Sequence, residues 1–564
     1  MRKFTLKNKI IGLFLFVIIY LSTSNVIALD KFKKSDDISN YFTGVLLLNE
    51  NSYDESFKYL KKLNGLENEH INYAVKYLYS LVNSGNFKEA FNYSRKLEKK
   101  KLDSFESHLI TGVYHLKNSN LKLAKKYFHN AKNKNSRFFL NNFISDSLFN
   151  VTNFSNLNLD QASLNLKKLD NRFDNFKNIQ NVFLNCFFDS SNTPNLFTKL
   201  TSNEKTDFSR YNYFFASYLV SKGKIMEAKE IINTSLKYHP RNLLLNQYKK
   251  DLSNEKNIDV FDCKKQKHII SEILYITSNA LSSQSIYPLS NFYLNLAKYL
   301  NEDFHFYDTL LAENFYKIEN YDKAKSIYHK LSKKGEALKW YASKQLAGIY
   351  ILEKDKNKAL DLLKDSYNSL IYKDIYEIFD YAEFLKNNEK FKESILYYSK
   401  IINVVDESHP LYAESTDGRG VSFERIGEWD KAEKDLLSSL KSNPEQAYVI
   451  NYLAYSWIEQ GVKISKSLRM LEKANKIKSN DPYIIDSLGW ALFKLKRYDE
   501  SKEYLQQAVK LMPADPIVND HYGDVLWKNG DEIQARYYWK YVLNLKKTEN
   551  ELKEKIKRKL ITGI

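Results

Sequence analysis

The sequence predicts an all-α fold, an α-solenoid (superhelix) of stacked antiparallel helix pairs. Three observations carry this. Apolar residues recur every three or four positions, the spacing of one helix face. The 564 residues include only 16 Gly and 8 Pro, too few for a turn-rich all-β architecture. The chain also resembles itself at a period near 34 residues. An apolar fraction of 43%, with 15% aromatic residues, excludes a disordered polymer.

In chain order, residues 1–28 come first. Arg2, Lys3, Lys7 and Lys9 precede the apolar run Ile10 to Leu21, and Val26-Ile27-Ala28 places small residues at −3 and −1 of a cleavage site. That run is short for a span, which needs about 20 residues, so a cleaved secretory signal is expected, with an uncleaved membrane anchor as the alternative. No Cys lies near the cleavage site, which argues against a lipid anchor. After cleavage no integral membrane span is expected, and the chain is expected to be exported, to a bacterial periplasm if the resemblance given below holds.

Residues 29–208 read as degenerate helical repeats. Gly44/Ser56, Leu78/Ala90 and Gly112/Ala124 fit the frame, whereas residues 136–205 fit it poorly. From 209 to 545 the frame is clear. Gly489 is followed by Ser501, Leu505, Ala508 and Pro513, and Gly523 by Ala535, Trp539 and Val542. Gly420, Ala432, Leu436, Ser439 and Pro444 repeat it, as do Ala216, Ala228, Ile232, Ser235 and Pro240. Ser278/Ser290, Ala312/Ala324, Ala347/Ala359, Ala382/Ser394 and Ala454/Ser467 follow less cleanly, the last pair one residue long.

One such unit has a physical reading. Leu488, Leu492 and Leu495 form a stripe on a first helix, and Tyr504, Leu505, Ala508 and Leu511 one on a second. "KLKRY" is the polar turn between them, and Pro513 stops the second helix. A single pair cannot bury both stripes, but stacking on its neighbours does so. Gly489 is worse than Ala in a helix by about 0.8–1.0 kcal/mol, so it is expected to be structural, a place where two helices approach closely. Residues 546–564, "LKKTENELKEKIKRKLITGI" from Leu545 on, read as a basic amphipathic helix capping the last repeat, with a membrane-surface helix as the alternative.

These residues resemble the tetratricopeptide repeat, with its small residues at Gly489, Ser501 and Ala508. From about 267 to 545, the phrases "YVINYLAYSWIEQG", "IIDSLGWALFKLKRYDES" and "VNDHYGDVLWKNGDEIQARYYW" are similar to a family of exported bacterial repeat proteins. That family includes outer-membrane lipoproteins acting as adaptors for a periplasmic processing protease. The resemblance implies a partner among envelope proteases or assembly factors. This chain departs from it in lacking a lipobox Cys.

Chemistry is sparse. No P-loop, HExxH, G-x-S-x-G or paired CxxC occurs, so no catalytic residue, cofactor or metal ligand is assigned and no enzyme is expected. The net charge of +18 is spread evenly and reads as solvated helix faces, so no nucleic-acid partner is expected; a polyanion, nucleic-acid or membrane-surface binder is the alternative. Cys186 and Cys263 would either pair or remain buried thiols.

The candidate site is the inner strip of the last four repeats. Three positions before the small residue stand Asp417, Asn451, Asp486 and Asp520. One turn further come Tyr455, Trp490 and Asp524, and beyond them Phe493 and Trp527. Acids and amides can hold the backbone N–H groups or basic side chains of an extended partner segment, while aromatics anchor it. The competing reading is structural: the acids stabilise helix N-termini and the aromatics pack between helices, and His521 has an ordinary packed or solvated role. On the first reading the protein is a non-catalytic interaction scaffold that binds a protein or peptide segment.

Overall fold

A computed structural model describes residues 35–133, 139–202, 207–254 and 260–564. The expected signal, residues 1–28, lies outside them. The described residues form thirty α-helices and three short 3-10 helices, with no strand. They divide into two compact units, Met1–Leu370 and Ile371–Ile564.

Helix pairs form where the sequence places their signals. In the repeat Pro482–Lys494 and Tyr498–Leu511, the Asp481 carboxylate accepts from the backbone N–H groups of Tyr483 and Ile484, with Pro482 in the first turn. Asp515 and Pro516 do the same for Pro516–Lys528. First helices end in left-handed residues whose successor donates five residues back: Arg497 N to Leu492 O, Glu428 N to Phe423 O and Asp531 N to Leu526 O. Gly427 and Gly530 hold that position at φ +83 and +84, whereas "KLKRY" places Lys496 there at φ +63, a conformation that costs an L-residue about 1–2 kcal/mol.

Gly489 lies where the two helices of its pair touch. A Cβ there would stand 2.7 Å from Leu505 Cγ, closer than atoms pack. Its buried carbonyl accepts from Ser501 Oγ at 2.7 Å, so the two small residues of the frame bond one another. Gly44 repeats both features, with Leu60 at 2.7 Å and Ser56 Oγ donating at 2.7 Å. Ser467, set one residue late by the insertion, has a buried hydroxyl without a partner.

Residues 139–202 keep the repeat and lose the frame. Their first helices, Phe139–Thr152 and Asp174–Phe187, begin near the usual spacing, but the second helices Leu159–Lys167 and Thr193–Thr201 are only nine residues long. Seven residues into the first helices, where Gly489 sits in its own, stand Asp146 and Asn181. Short second helices make the close contact unnecessary, and its sequence signature vanishes with it. Cys186 is disulfide-bonded to Cys263, with Cα atoms 6.0 Å apart, resolving the two alternatives in favour of pairing.

The N-terminal unit is not an open stack. After Leu243–Ser253 the chain folds back. Tyr287–Leu300 packs on the first helices Ile71–Asn83 and Phe105–Lys117, Gln266–Ser283 packs on Phe139–Thr152, and Glu336–Leu352 on Leu243–Ser253. Tyr79 meets Phe292 edge-on, Phe87 stacks on Tyr299 at 4.2 Å, and Asn291 donates to the Tyr53 hydroxyl. The chain's own helices thus cover the first helices there. The boundary between the two units falls at Leu370/Ile371.

The C-terminal unit stacks five pairs: Ile375–Asn387 with Phe391–Ile402, Pro410–Arg425 with Trp429–Ser442, Ala447–Glu459 with Ile464–Ile477, and the two described above, Pro516–Lys528 being paired with Glu532–Asn544. The helix Asn550–Thr562 lies on the last pair. Its Ile556 is fully buried with Val525, Leu526, Trp539 and Val542, while Leu552 and Leu560 flank that cluster.

Candidate functional site

The first helices of the last four repeats carry the inner strip, one turn of each helix contributing one position. The four repeats use it differently. Asp417, on Pro410–Arg425, is half-buried, and burial pushes its carboxyl up to about 6, Lys386 opposing and Glu383 and Glu414 adding to the rise. It receives no hydrogen bond. On the next repeat, the Asn451 side-chain oxygen is buried and likewise accepts none. Tyr455, one turn on, is half-buried, and its hydroxyl pKa is raised by burial and by Glu459, Asp486 and Asp520.

The third and fourth repeats are knitted together. His521 Nδ1 lies 3.0 and 3.1 Å from the two carboxylate oxygens of Asp486. The imidazole lies flat on Trp490, centroids 3.9 Å apart and planes at 12°, and Trp490 stacks on Phe493 at 4.7 Å. The indole N–H of Trp490 donates to Glu459 at 2.6 Å. Burial alone would lower the His521 pKa, but Asp486, with Asp520 and Asp524 behind it, outweighs burial and raises it. Sequence reasoning gave His521 no special role, since only its position one residue after Asp520 marked it.

The acids of the last repeat face the chain's own lysine. Lys559 Nζ, from the C-terminal helix, donates to Asp520 at 2.6 Å and to both oxygens of Asp524 at 2.7 and 2.8 Å. Asp524 also accepts from the Trp539 indole N–H at 3.0 Å. Burial, with Asp520 adding and Lys559 opposing, pushes Asp524 up to about 6. Trp527 is half-buried, with the Arg536 guanidinium 4.9 Å from its ring centre and the backbone of Gly563 against its edge. Asp486, Trp490, Asp520 and Asp524 are therefore buried and internally bonded, while Asp417, Asn451, Tyr455 and Phe493 form the part of the strip with unused groups or surface.

A cavity of about 490 Å³ lies elsewhere, in the N-terminal unit. At it, Arg210 makes a bidentate pair with buried Glu272 at 2.8 and 3.0 Å and lies 4.0 Å above the Tyr275 ring. Glu272 holds Arg210 cationic against its burial. The pair is neutral in sum, and Asp207 is the further charged residue lining the cavity. Among the described residues no three His, Cys, Asp or Glu side chains gather as a metal site, and no helix is long and apolar enough to cross a membrane.

Residues 482–515, the repeat of Gly489 and Ser501, match the tetratricopeptide repeat family. A TPR repeat-containing protein of Pseudomonas aeruginosa is 28% identical over 146 residues, which are 25% of this chain and 23% of that one. The chain thus matches about a quarter of that relative's length. Among solved structures, a tetratricopeptide repeat protein from Parabacteroides merdae is 16% identical over 39% of this chain and 86% of its own, with a TM-score of 0.32. MamA from Desulfovibrio magneticus is 15% identical over 32% and 99%, with a TM-score of 0.28. Helix pairs in this frame define an α-solenoid of the interaction-scaffold class. The chain is a tetratricopeptide-repeat protein.

Proposed function

We propose that this scaffold is exported to the bacterial envelope and binds a partner segment along the inner strip of its C-terminal unit, without catalysis. One observation carries the groove reading: on neighbouring first helices, the buried Asn451 side-chain oxygen has no donor, and the half-buried Asp417 carboxylate accepts no hydrogen bond from the chain. A buried acceptor left unmade costs about 1–3 kcal/mol, and a partner's backbone N–H groups or basic side chain would supply the missing donors. Tyr455 and Phe493, half-buried beside them, offer apolar anchorage. Export is supported by the residues of the expected signal and by the Cys186–Cys263 disulfide, which persists in oxidising compartments.

Crosslinking and pull-down of the chain from its own envelope, against Asp417→Ala with Asn451→Ala, tests this. The double variant should fold and lose a partner that wild type retains. Retention of every partner by the folded variant would sink the groove reading.

A further inference from the structure

The cavity of the N-terminal unit plays no part in the groove. It holds about 490 Å³, the size of a pocket for a small molecule. Its apolar walls come from four segments: Phe176 and Ile179 on Asp174–Phe187, Phe208 just before Tyr211–Ser221, Ile276 on Gln266–Ser283 and Phe306 just before Tyr307–Lys317. One cation is fixed in these walls. Arg210 engages Glu272 through Nε and Nη2 at 2.8 and 3.0 Å, while its Nη1 has no acceptor among the described residues. The centre of the Tyr275 ring lies 4.0 Å from the guanidinium, with the Phe214 and Phe304 rings at 5.5 and 5.4 Å, so the group is clamped by aromatic faces. The Nη1 donors therefore stand ready without rearrangement. The hydroxyl of Tyr275, which lines the same cavity, also makes no hydrogen bond among the described residues.

We propose that this cavity binds a small uncharged ligand with an apolar, ring-sized body and a carbonyl oxygen, the oxygen accepting from Arg210 Nη1. The open donors call for an acceptor. The charges call for a neutral one. Glu272 already balances Arg210, so a carboxylate head would set a second anion against one cation between apolar walls. An ammonium head would meet the N–H groups of the guanidinium. Asp207 alters this little, because its side chain is 67% exposed and its Oδ1 accepts from the Ser209 N–H at 2.8 Å. The Phe176, Ile179, Phe208, Ile276 and Phe306 side chains give the body an apolar bed. The inner strip belongs to the C-terminal unit, so the proposal does not depend on the groove reading.

Calorimetric titration of the purified chain tests it with three probes that differ by one charge. N-acetyl-phenylalanine methylamide, which is uncharged, should saturate a single site. N-acetyl-phenylalanine, a carboxylate, and phenylalanine methylamide, an ammonium, should bind at least about tenfold more weakly. Arg210→Lys keeps a cation beside Glu272 and gives up the Nη1 donors, so it should lower affinity for the uncharged probe by at least about tenfold. Circular dichroism verifies that this variant is folded. A photolabelling arm needs only the wild-type chain and decides the matter should the variant misfold. N-acetyl-4-benzoylphenylalanine methylamide should, on illumination, label Asp174–Phe187, Gln266–Ser283 or the start of Tyr307–Lys317, and the uncharged probe should compete. Absence of saturable binding, equal affinity for the three probes, or labelling confined to other segments would overturn the proposal. So would full affinity in the folded Arg210→Lys chain. Binding that appears only with a longer capped peptide would mark a polypeptide site and overturn it as well.

Discussion

Lys559 closes the acidic strip of the last repeat, bonding Asp520 and Asp524 through one ammonium group. A side chain read from sequence as part of a cap thus pairs with two side chains read as part of a groove. Lys559→Met removes the cation and leaves two buried carboxylates facing each other. Breaking a buried pair by deleting one partner costs about 3–5 kcal/mol. The residual exposure of Lys559 argues for the lower end. Hydrogen exchange should show Asn550–Thr562 fraying first, and an unchanged exchange pattern there would contradict this account.

Gly489→Ala should destabilise the C-terminal unit by about 1–3 kcal/mol, because its Cβ meets Leu505 and both helices are already at contact distance. Ser501→Ala should cost about 1 kcal/mol through the lost bond to the Gly489 carbonyl. Chemical denaturation measures both. An exposed helical glycine would instead gain stability on becoming alanine, so the sign decides.

Asp417 gives a pH signature. Its carboxyl is raised from the ordinary 3.8 to about 6 in the folded chain. The folded state therefore favours the protonated form, and the stability contributed by that form is present below pH 4 and is lost as pH rises through about 6. Asp417→Asn, which is neutral throughout, should raise thermal stability at pH 7.5 by about 1–3 kcal/mol and change little at pH 4. Equal effects at the two pH values would refute the assignment.

His521 should titrate above its ordinary 6.5, because Asp486 holds its cationic form. Its contribution to stability is present below pH 6.5 and falls as pH rises through the higher folded value. Asp486→Asn should bring the titration down, as followed by imidazole NMR signals and by Trp490 fluorescence across the stacked rings.

In the N-terminal unit, Arg210→Met should destabilise severely, by about 3–5 kcal/mol, because Glu272 is then a buried lone carboxylate. Adding Glu272→Met should recover most of the loss. Recovery in the double variant separates a charge effect from simple loss of packing, and urea unfolding of the three proteins measures it.

The architecture was legible wherever contact chemistry repeats. Gly489, Ser501 and Pro513 encode a close approach, a bond and a stop within one unit, and such local signals survive in sequence. What the strip does with its acids was not legible. Whether Asp520 meets a partner or Lys559 depends on the last helix folding back over 39 positions, and the His521–Trp490 stack depends on the pitch between repeats. Nor did the frame announce that Tyr287–Leu300 packs on Ile71–Asn83, since both helices read as ordinary first or second members of a pair.

That folding-back changes how the two halves should respond to deletion. In the C-terminal unit each pair packs mainly on its neighbours, so excising one whole repeat should shorten the protein and leave a folded remainder. In the N-terminal unit, Tyr53 bonds Asn291 and Lys117 pairs with Glu302, partners 238 and 185 positions apart. Excision there removes part of a clasp, so the half should melt in one step and fold more slowly than an open array of equal length, because its distant ends must meet before either is secure.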